Sequence, residues 1–581
     1  MSRPDAELAF DRFADRVFDA LLSGNPILAT TLGIHGPHDS MLPSRTASAA
    51  QSSERMLTEL LQEAESFHER ELSIERLVDL RLVRSGLAAA LLRGQKRPLW
   101  RVCPCSYVND AVYGLYSLMV HDFAPLPDRA SAVGGRLHDV PRLLDQGRAN
   151  VENPSPVFTE MASLSVRGAV HFLDETVAPF LEEAGDVVLR GRLEGERVRA
   201  REAFLKYGEW LEADLMPRSN GRFAIGRSAY ERLMIEEQGL RWTTDQLIAL
   251  GQRIYTETLR ESKRVASRLL PGKPWSRVFE AIKTEHPEPE GLLSSYAAEV
   301  ARAKAFLQQH DLITIPEDES ISIAATPDFA RPLIPYAGYV GPAPFEGETA
   351  GTFWVTTPDP NLDEGHQLSQ MKGHSYPRIT VTSIHDGYPG HHVQALHANR
   401  RTDRKLRLLF PCSTMVEGWA LYCEEMMYGQ GFFRSEKVRL LQLRDLLWRA
   451  CRVIIDIELQ TGRMGFNEAV SFLVRKAHLE RPSAVAEVRR HCAYPTQPMS
   501  YIAGKALIEE LLRDYRAARG SRFRLREFHD DLLSHGPIPI DLIRLEMGIE
   551  RRPRGRPGRA PLERAEPARS RTSAGGRSLS G

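Results

Sequence analysis

Apolar residues recur at three- and four-residue intervals over most of residues 6 to 315 and again from about Pro389 to about Leu545. That spacing places them on one face of a helix, so the chain can only bury them by packing helix on helix. Ala6 to Leu22 sets Leu8, Phe10, Phe13, Val17, Phe18 and Leu21 on one broad face, and Asn25-Pro26 ends it because proline disfavours helical geometry in the residue before it. Asp245 to Leu269 and Leu292 to Gln309 are two further long helices, with proline- and glycine-rich breakers between them. Near residue 315 the pattern changes. Ser320 to Ala325 and Thr352 to Thr356 are β-branched or aromatic, flanked by Pro and Gly, and predict short strands. Ile379 to Thr382 fits either a strand or the start of the helix that follows. The expected fold class is mainly α, with a small sheet, divided as residues 1–315, residues 316–550 and a tail. The tail, 551–581, is rich in Arg, Pro, Ser and Gly, cannot offset its ordering entropy, and is expected to be disordered.

Charge narrows the function classes. Lys+Arg and Asp+Glu stand at 76 each, so no net field recruits nucleic acid or an acidic membrane surface. No uncharged apolar stretch reaches the length of a membrane span, and the N-terminal segment lacks the apolar region of a secretory signal. The six cysteines are scattered; Cys103-Pro-Cys105 has the wrong spacing for a redox or zinc CxxC pair. A cytoplasmic location follows as the expectation.

The chemistry concentrates in Ser383-Ile-His-Asp-Gly-Tyr-Pro-Gly-His-His-Val-Gln394, which holds three of 18 histidines and one carboxylate. Zinc hydrolases place two histidines on one helix, a carboxylate beside the first, and a third ligand on a later helix, leaving one coordination position for water. His385-Asp386 fits the opening of that pattern. The position four residues on is Pro389, which cannot ligate. On a straight helix His391 lies about 240° round from His385, while His392 returns to the face about 10 Å further along the axis. Proline inside a helix forces a bend. A two-residue bulge at Pro389-Gly390 would bring His391 into the second-ligand place, with His392 as the alternative. Glu417, 26 residues after His391, opens the helical run Glu417-Gly-Trp-Ala-Leu-Tyr-Cys-Glu424 and is the third candidate ligand. Glu424 either orients a histidine or lies at the surface, and Trp419 and Tyr422 are expected in the core.

These residues, with Asn25-Pro-Ile-Leu-Ala-Thr-Thr-Leu-Gly33, Gly221-Arg-Phe-Ala-Ile-Gly-Arg-Ser-Ala-Tyr230, Gly351-Thr-Phe-Trp-Val355 and the set Arg490, Gln497, Tyr501, Gly504, resemble the bacterial family of domain of unknown function 885. The family is grouped with zincin-type metallopeptidases. The resemblance therefore implies a large helical zincin-like fold with a small sheet beside the metal helix, Zn2+ as cofactor, and hydrolysis of short peptides or small amides. It implies His385, His391 and Glu417 as ligands, Asp386 as general base, and a sheet edge at Gly351–Val355 against which a peptide lies. Tyr501 resembles the hydroxyl that zincins aim at an oxyanion, though a buried core tyrosine is the plainer reading. Arg490 is either a carboxylate clamp or a core ion-pair partner. Two positions depart from the family pattern: Asp386 replaces its usual Glu, and Thr496 replaces its Gly in Pro-Gly-Gln. The first leaves open a catalytically silent descendant that binds a peptide or metabolite.

Overall fold

A computed structural model describes residues 3–327, 330–331, 334, 336–347, 349–359 and 362–551. Helices dominate it. The first expected helix runs Arg3–Ser23, the second Thr244–Leu269 and the third Leu292–Gln309. The expectation for the tail falls outside the described residues from 552 onward. Arg551 itself is ion-paired to Glu510 at 3.0 Å and to Asp541 at 2.7 Å, so the folded body extends one residue beyond the expected boundary.

The three strands are β1 (Ser320–Ala325), β2 (Ala337–Val340) and β3 (Ala350–Val355), in the order β1-β3-β2. β1 pairs parallel with β3, Ser320 opposite Ala350, and β2 pairs antiparallel, Tyr339 opposite Phe353. The expected edge at Gly351–Val355 is thus corrected: β3 is central, its backbone groups committed on both sides, and β2 is an edge. Ile379–Thr382 belongs to a helix, Tyr376–Thr382, rather than a strand.

Side chains alternate across a strand, and β3 uses this to join two cores. Phe353 and Val355 pack with Val78, Tyr230, Tyr296, Ile384, Trp419 and Tyr501. Trp354 points into the other core, edge-on to Tyr116 at 5.3 Å, among Leu115, Phe158 and Cys451. Both cores draw on chain from either side of residue 315, so that position is a change in local pattern and does not separate two hydrophobic centres.

Two helix pairs frame the site. Thr244–Leu269 packs along Glu436–Gln460, and Ser413–Gly429 crosses Ser500–Arg519. At that crossing a Cβ on Gly504 would lie 1.8 Å from the Thr414 carbonyl oxygen, and one on Gly418 would lie 2.6 Å from Gly504 Cα. Only two glycines allow backbones this close, and the contact joins the helix that carries Tyr501 to the one that carries Glu417.

Candidate metal centre

The histidine motif does not continue as one helix. After Tyr376–Thr382 the backbone widens to a π-type turn over Ser383–Gly387 and then leaves helical geometry through Tyr388, Pro389 and Gly390. A new helix, His391–Asn399, begins at the second histidine. The break falls where a bulge is expected, and it spans three residues. Gly390 donates its amide to the Ile384 carbonyl at 3.0 Å, and a Cβ there would sit 1.8 Å from the His385 carbonyl oxygen. Glycine is therefore required for the chain to fold back this tightly. The indole of Trp419 donates to the Pro389 carbonyl at 2.9 Å, fastening the turn to the glutamate helix Ser413–Gly429.

This break brings three ligand atoms together. Glu417 Oε2 lies 3.5 Å from His391 Nε2 and 3.9 Å from His385 Nε2, and all three lie within 4.8 Å of one another. Zinc bonds of ~2.1 Å in a tetrahedral arrangement place ligand atoms ~3.4 Å apart, so the spacing suits one ion. The His385 Nδ1–H donates to Glu424 Oε1 at 2.8 Å, which turns Nε2 toward Glu417. Glu424 is fully buried and further faced by Arg449 at 3.4 Å, so it orients the histidine and is no surface residue. Glu417 Oε1 accepts from Gln497 Nε2 at 3.0 Å, whereas Oε2 is buried with no hydrogen-bond partner.

The electrostatics ask for positive charge at that oxygen. Burial works against a charged His385, yet the Glu417 carboxylate facing Nε2 and the Glu424 carboxylate bonded at Nδ1 outweigh it and lift the imidazole to about 10. Burial likewise opposes a charged Glu417, but its two histidines hold the carboxyl well below the usual range. Imidazolium protons or a bound cation would meet this demand alike. Asp386, also buried, is raised by desolvation, with His385, His391 and Arg449 pulling it down and Glu417 adding to the rise.

His392 is not a member of this group, which corrects the alternative assignment. Its Nε2 is 2.5 Å from Glu319 Oε2 and its Nδ1 is 2.9 Å from the Tyr339 hydroxyl, so both ring nitrogens are engaged. Glu319, itself fastened to Lys304 and Tyr388, ties the motif to the sheet, and sequence reasoning missed it. The absence of a Cβ at Gly351 makes room, since one would stand 2.5 Å from the Tyr339 hydroxyl.

Tyr501 lies parallel to the His385 ring at 6.2 Å between centroids, with Arg449 and Arg452 over its own ring. Arg490 Nη2 donates to Gln497 Oε1 at 2.9 Å and lies 3.4 Å from the Tyr501 hydroxyl; it forms no ion pair among the described residues. Trp419 and Tyr422 are core, as expected. Thr496, in place of glycine, sits at φ 72°, a region that costs a β-branched residue strain. Its hydroxyl donates to Glu237 at 3.1 Å and accepts from Gln238 at 3.3 Å, and its amide donates to Asp456 at 3.1 Å. The loop thereby still presents Gln497 to Glu417.

Residues 26–547 match the model of a family described as a bacterial protein of unknown function, DUF885. No curated protein matches the chain. Solved structures share the fold, two of them over nearly the whole chain. One, described as a "putative lipoprotein of unknown function" from Shewanella oneidensis, has 22% identity and a TM-score of 0.76, over 93% of this chain and 99% of that one. The other, a "putative lipoprotein" from Colwellia psychrerythraea, has 17% identity and a TM-score of 0.72 over the same shares. Among the described residues no helix is long and apolar enough to cross a membrane.

Proposed function

We propose that this chain, which belongs to the bacterial DUF885 family, is a zincin-like zinc hydrolase that cleaves amide bonds in short peptides or small amides. One observation carries the reading: two imidazole nitrogens and a buried, unpartnered carboxylate oxygen converge within 4.8 Å beside a second carboxylate, Asp386. His385, His391 and Glu417 would hold the ion. A zinc ion there supplies charge that acidifies water and polarises a carbonyl. Asp386 accepts the proton of the attacking water at its carboxylate, and burial favours the protonated form that results. Tyr501 offers its hydroxyl to the developing oxyanion, backed by Arg490. Glu424 holds the His385 ring in place throughout.

A second reading, a silent descendant that binds a peptide or metabolite, is favoured by Asp386 alone, one methylene shorter than the glutamate that family members resembling this chain carry. For the compartment, six buried free cysteines support the cytoplasm. The lipoprotein descriptions of the two solved structures weigh against it, and cell fractionation decides.

The test is metal analysis together with turnover of a mixed peptide library. About one zinc per chain is expected, with turnover abolished by a chelator and restored by zinc. Glu417→Gln and His385→Ala should lose the ion, whereas His392→Ala should keep it. Full zinc in the first two variants would sink the ligand assignment, and stoichiometric zinc without any turnover would select the silent descendant.

A further inference from the structure

Three guanidinium groups surround Tyr501, and two are already neutralised. Arg449 faces Glu424, and Arg452 is bound to Glu487 through both Nε and Nη2. Arg490 is different. Its hydrogen bonds run from one nitrogen, Nη2, to two neutral acceptors, Gln497 Oε1 and the Tyr501 oxygen, and it has no carboxylate partner among the described residues. Tyr501, Glu487 and Glu417 support its charge from nearby, but no carboxylate among the described residues takes a hydrogen bond from it, which leaves the rest of its fork of donors to a ligand. Its position is also fixed relative to the triad. Gln497 gives its amide nitrogen to Glu417 and turns its oxygen to Arg490, so one side chain bridges the metal ligand and the guanidinium through bonds of 3.0 and 2.9 Å.

We propose that Arg490 receives the free carboxylate of the substrate, so that the site removes single C-terminal residues from short peptides or N-acyl amino acids. The proposal rests on the hydrolase reading above. The distances suit it: one residue spans at most ~3.6 Å, and an arginine–carboxylate bond adds ~2.8 Å. A guanidinium one glutamine away from the triad is therefore within reach of a carboxylate one residue beyond the scissile bond. In the reaction, water adds to the scissile carbonyl carbon, the C–N bond breaks, the water oxygen stays on the acyl group, and a proton passes to the departing amine of the C-terminal residue. The carboxylate on that residue meets the two free nitrogens of Arg490, and Gln497 stays in place between the charge and the ligand.

The experiment compares N-acetyl tripeptides as free acids and as C-terminal amides, with the full-length zinc-loaded protein. The acids should be turned over with kcat/KM at least about tenfold higher, releasing single residues by mass spectrometry. In Arg490→Met the ratio should collapse toward one, chiefly through KM, while zinc content stays unchanged; Arg490→Lys should keep part of it. Equal treatment of acids and amides by the wild type, or a ratio that survives Arg490→Met, overturns the proposal even if the protein is a working hydrolase. If neither series is turned over although zinc is bound, the hydrolase reading fails. Calorimetric binding of the same acids and amides then decides the carboxylate site by itself: preference for the acids that Arg490→Met removes supports it, and equal binding refutes it.

Discussion

Asp386 is the residue on which the proposed activity turns. It follows His385 on a π-type turn and is buried, and in the proposed reaction its carboxylate takes the proton from water. Asp386→Asn keeps volume and removes basicity; kcat should fall by about 10²-fold or more, the usual share of a general base. Asp386→Glu should hold or raise activity by restoring reach, and steady-state kinetics on any substrate found by the library screen checks both. Robust turnover that Asp386→Asn leaves untouched would contradict this role. Thr496 shows how a departure from a family pattern is absorbed. Its left-handed φ costs strain, and two side-chain hydrogen bonds, to Glu237 and Gln238, offset it. Thr496→Val keeps the strain and loses both bonds, so it should destabilise by about 2 kcal/mol at ~1 kcal/mol per bond. Thr496→Gly gives up the same bonds but relieves the strain and should stay within about 1 kcal/mol of wild type, as urea unfolding would show. A Val variant as stable as the Gly variant would mean that the left-handed backbone at this position carries no strain for the two bonds to offset.

The elements of the site are held by close backbone contacts, and these are the hardest part to see in the sequence. The long helices are legible because amphipathic spacing is a local property: Leu292–Gln309 and the strand Ser320–Ala325 fall where the pattern puts them. β2 is not legible, since Ala337-Gly-Tyr-Val340 has four residues and only two that favour a strand. Strand order is equally hidden, because whether Gly351–Val355 is central or an edge depends on which strands find it. His385 and Glu417 can be picked from residue type and spacing, whereas Glu319 lies 73 positions before its partner His392 with no motif to mark it. Gln497 carries only the signal of a shared family pattern. Gly418 and Gly504 permit the crossing of the helices that carry Glu417 and Tyr501. Gly504→Ala would put a methyl into the Thr414 carbonyl, so the helices must part; a loss of about 2–3 kcal/mol is the usual cost of such overpacking. Because the same movement shifts the tyrosine, turnover should fall further than zinc content does. Unchanged melting and turnover in Gly504→Ala would show that the two helices can separate freely at this crossing.

Across the whole molecule, buried histidines, one of them behind the candidate metal centre, predict how the fold responds to acid. His529, on the helix Leu525–Ser534, lies behind the glutamate helix: its Nδ1–H donates to the Leu312 carbonyl at 2.7 Å, and its Nε2 accepts from Tyr422 at 2.8 Å. Its ring meets Trp419 edge-on at 5.3 Å, and Trp419 in turn fastens the turn between His385 and His391. Burial lowers His529 from 6.5 to about 4, against a smaller rise from the Leu312 carbonyl. Burial does the same for His374, which accepts from the Tyr296 hydroxyl at 3.1 Å. Above pH 6.5 both are neutral in folded and unfolded chains, and their contribution is complete. Between 6.5 and 4 the unfolded chain binds protons that the folded one refuses, so stability falls by ~1.4 kcal/mol per pH unit for each histidine. Below 4 the folded form takes them up as well and the loss levels off. Other groups add slopes of their own: His385 is raised, with the opposite sign over a higher range, and carboxylates such as Glu319, lowered to about 2 because hydrogen bonds from His392, Lys304 and Tyr388 outweigh its burial, act below it. The comparison that isolates His529 is therefore a difference. Urea unfolding of wild type and His529→Gln, each from pH 7 to 4.5, should show the variant less stable at pH 7 but with a shallower decline, flatter by about one proton. Parallel declines in the two proteins would mean that His529 takes up its proton in the fold as readily as in the unfolded chain, and that the packing behind the glutamate helix is not as dry as its contacts imply.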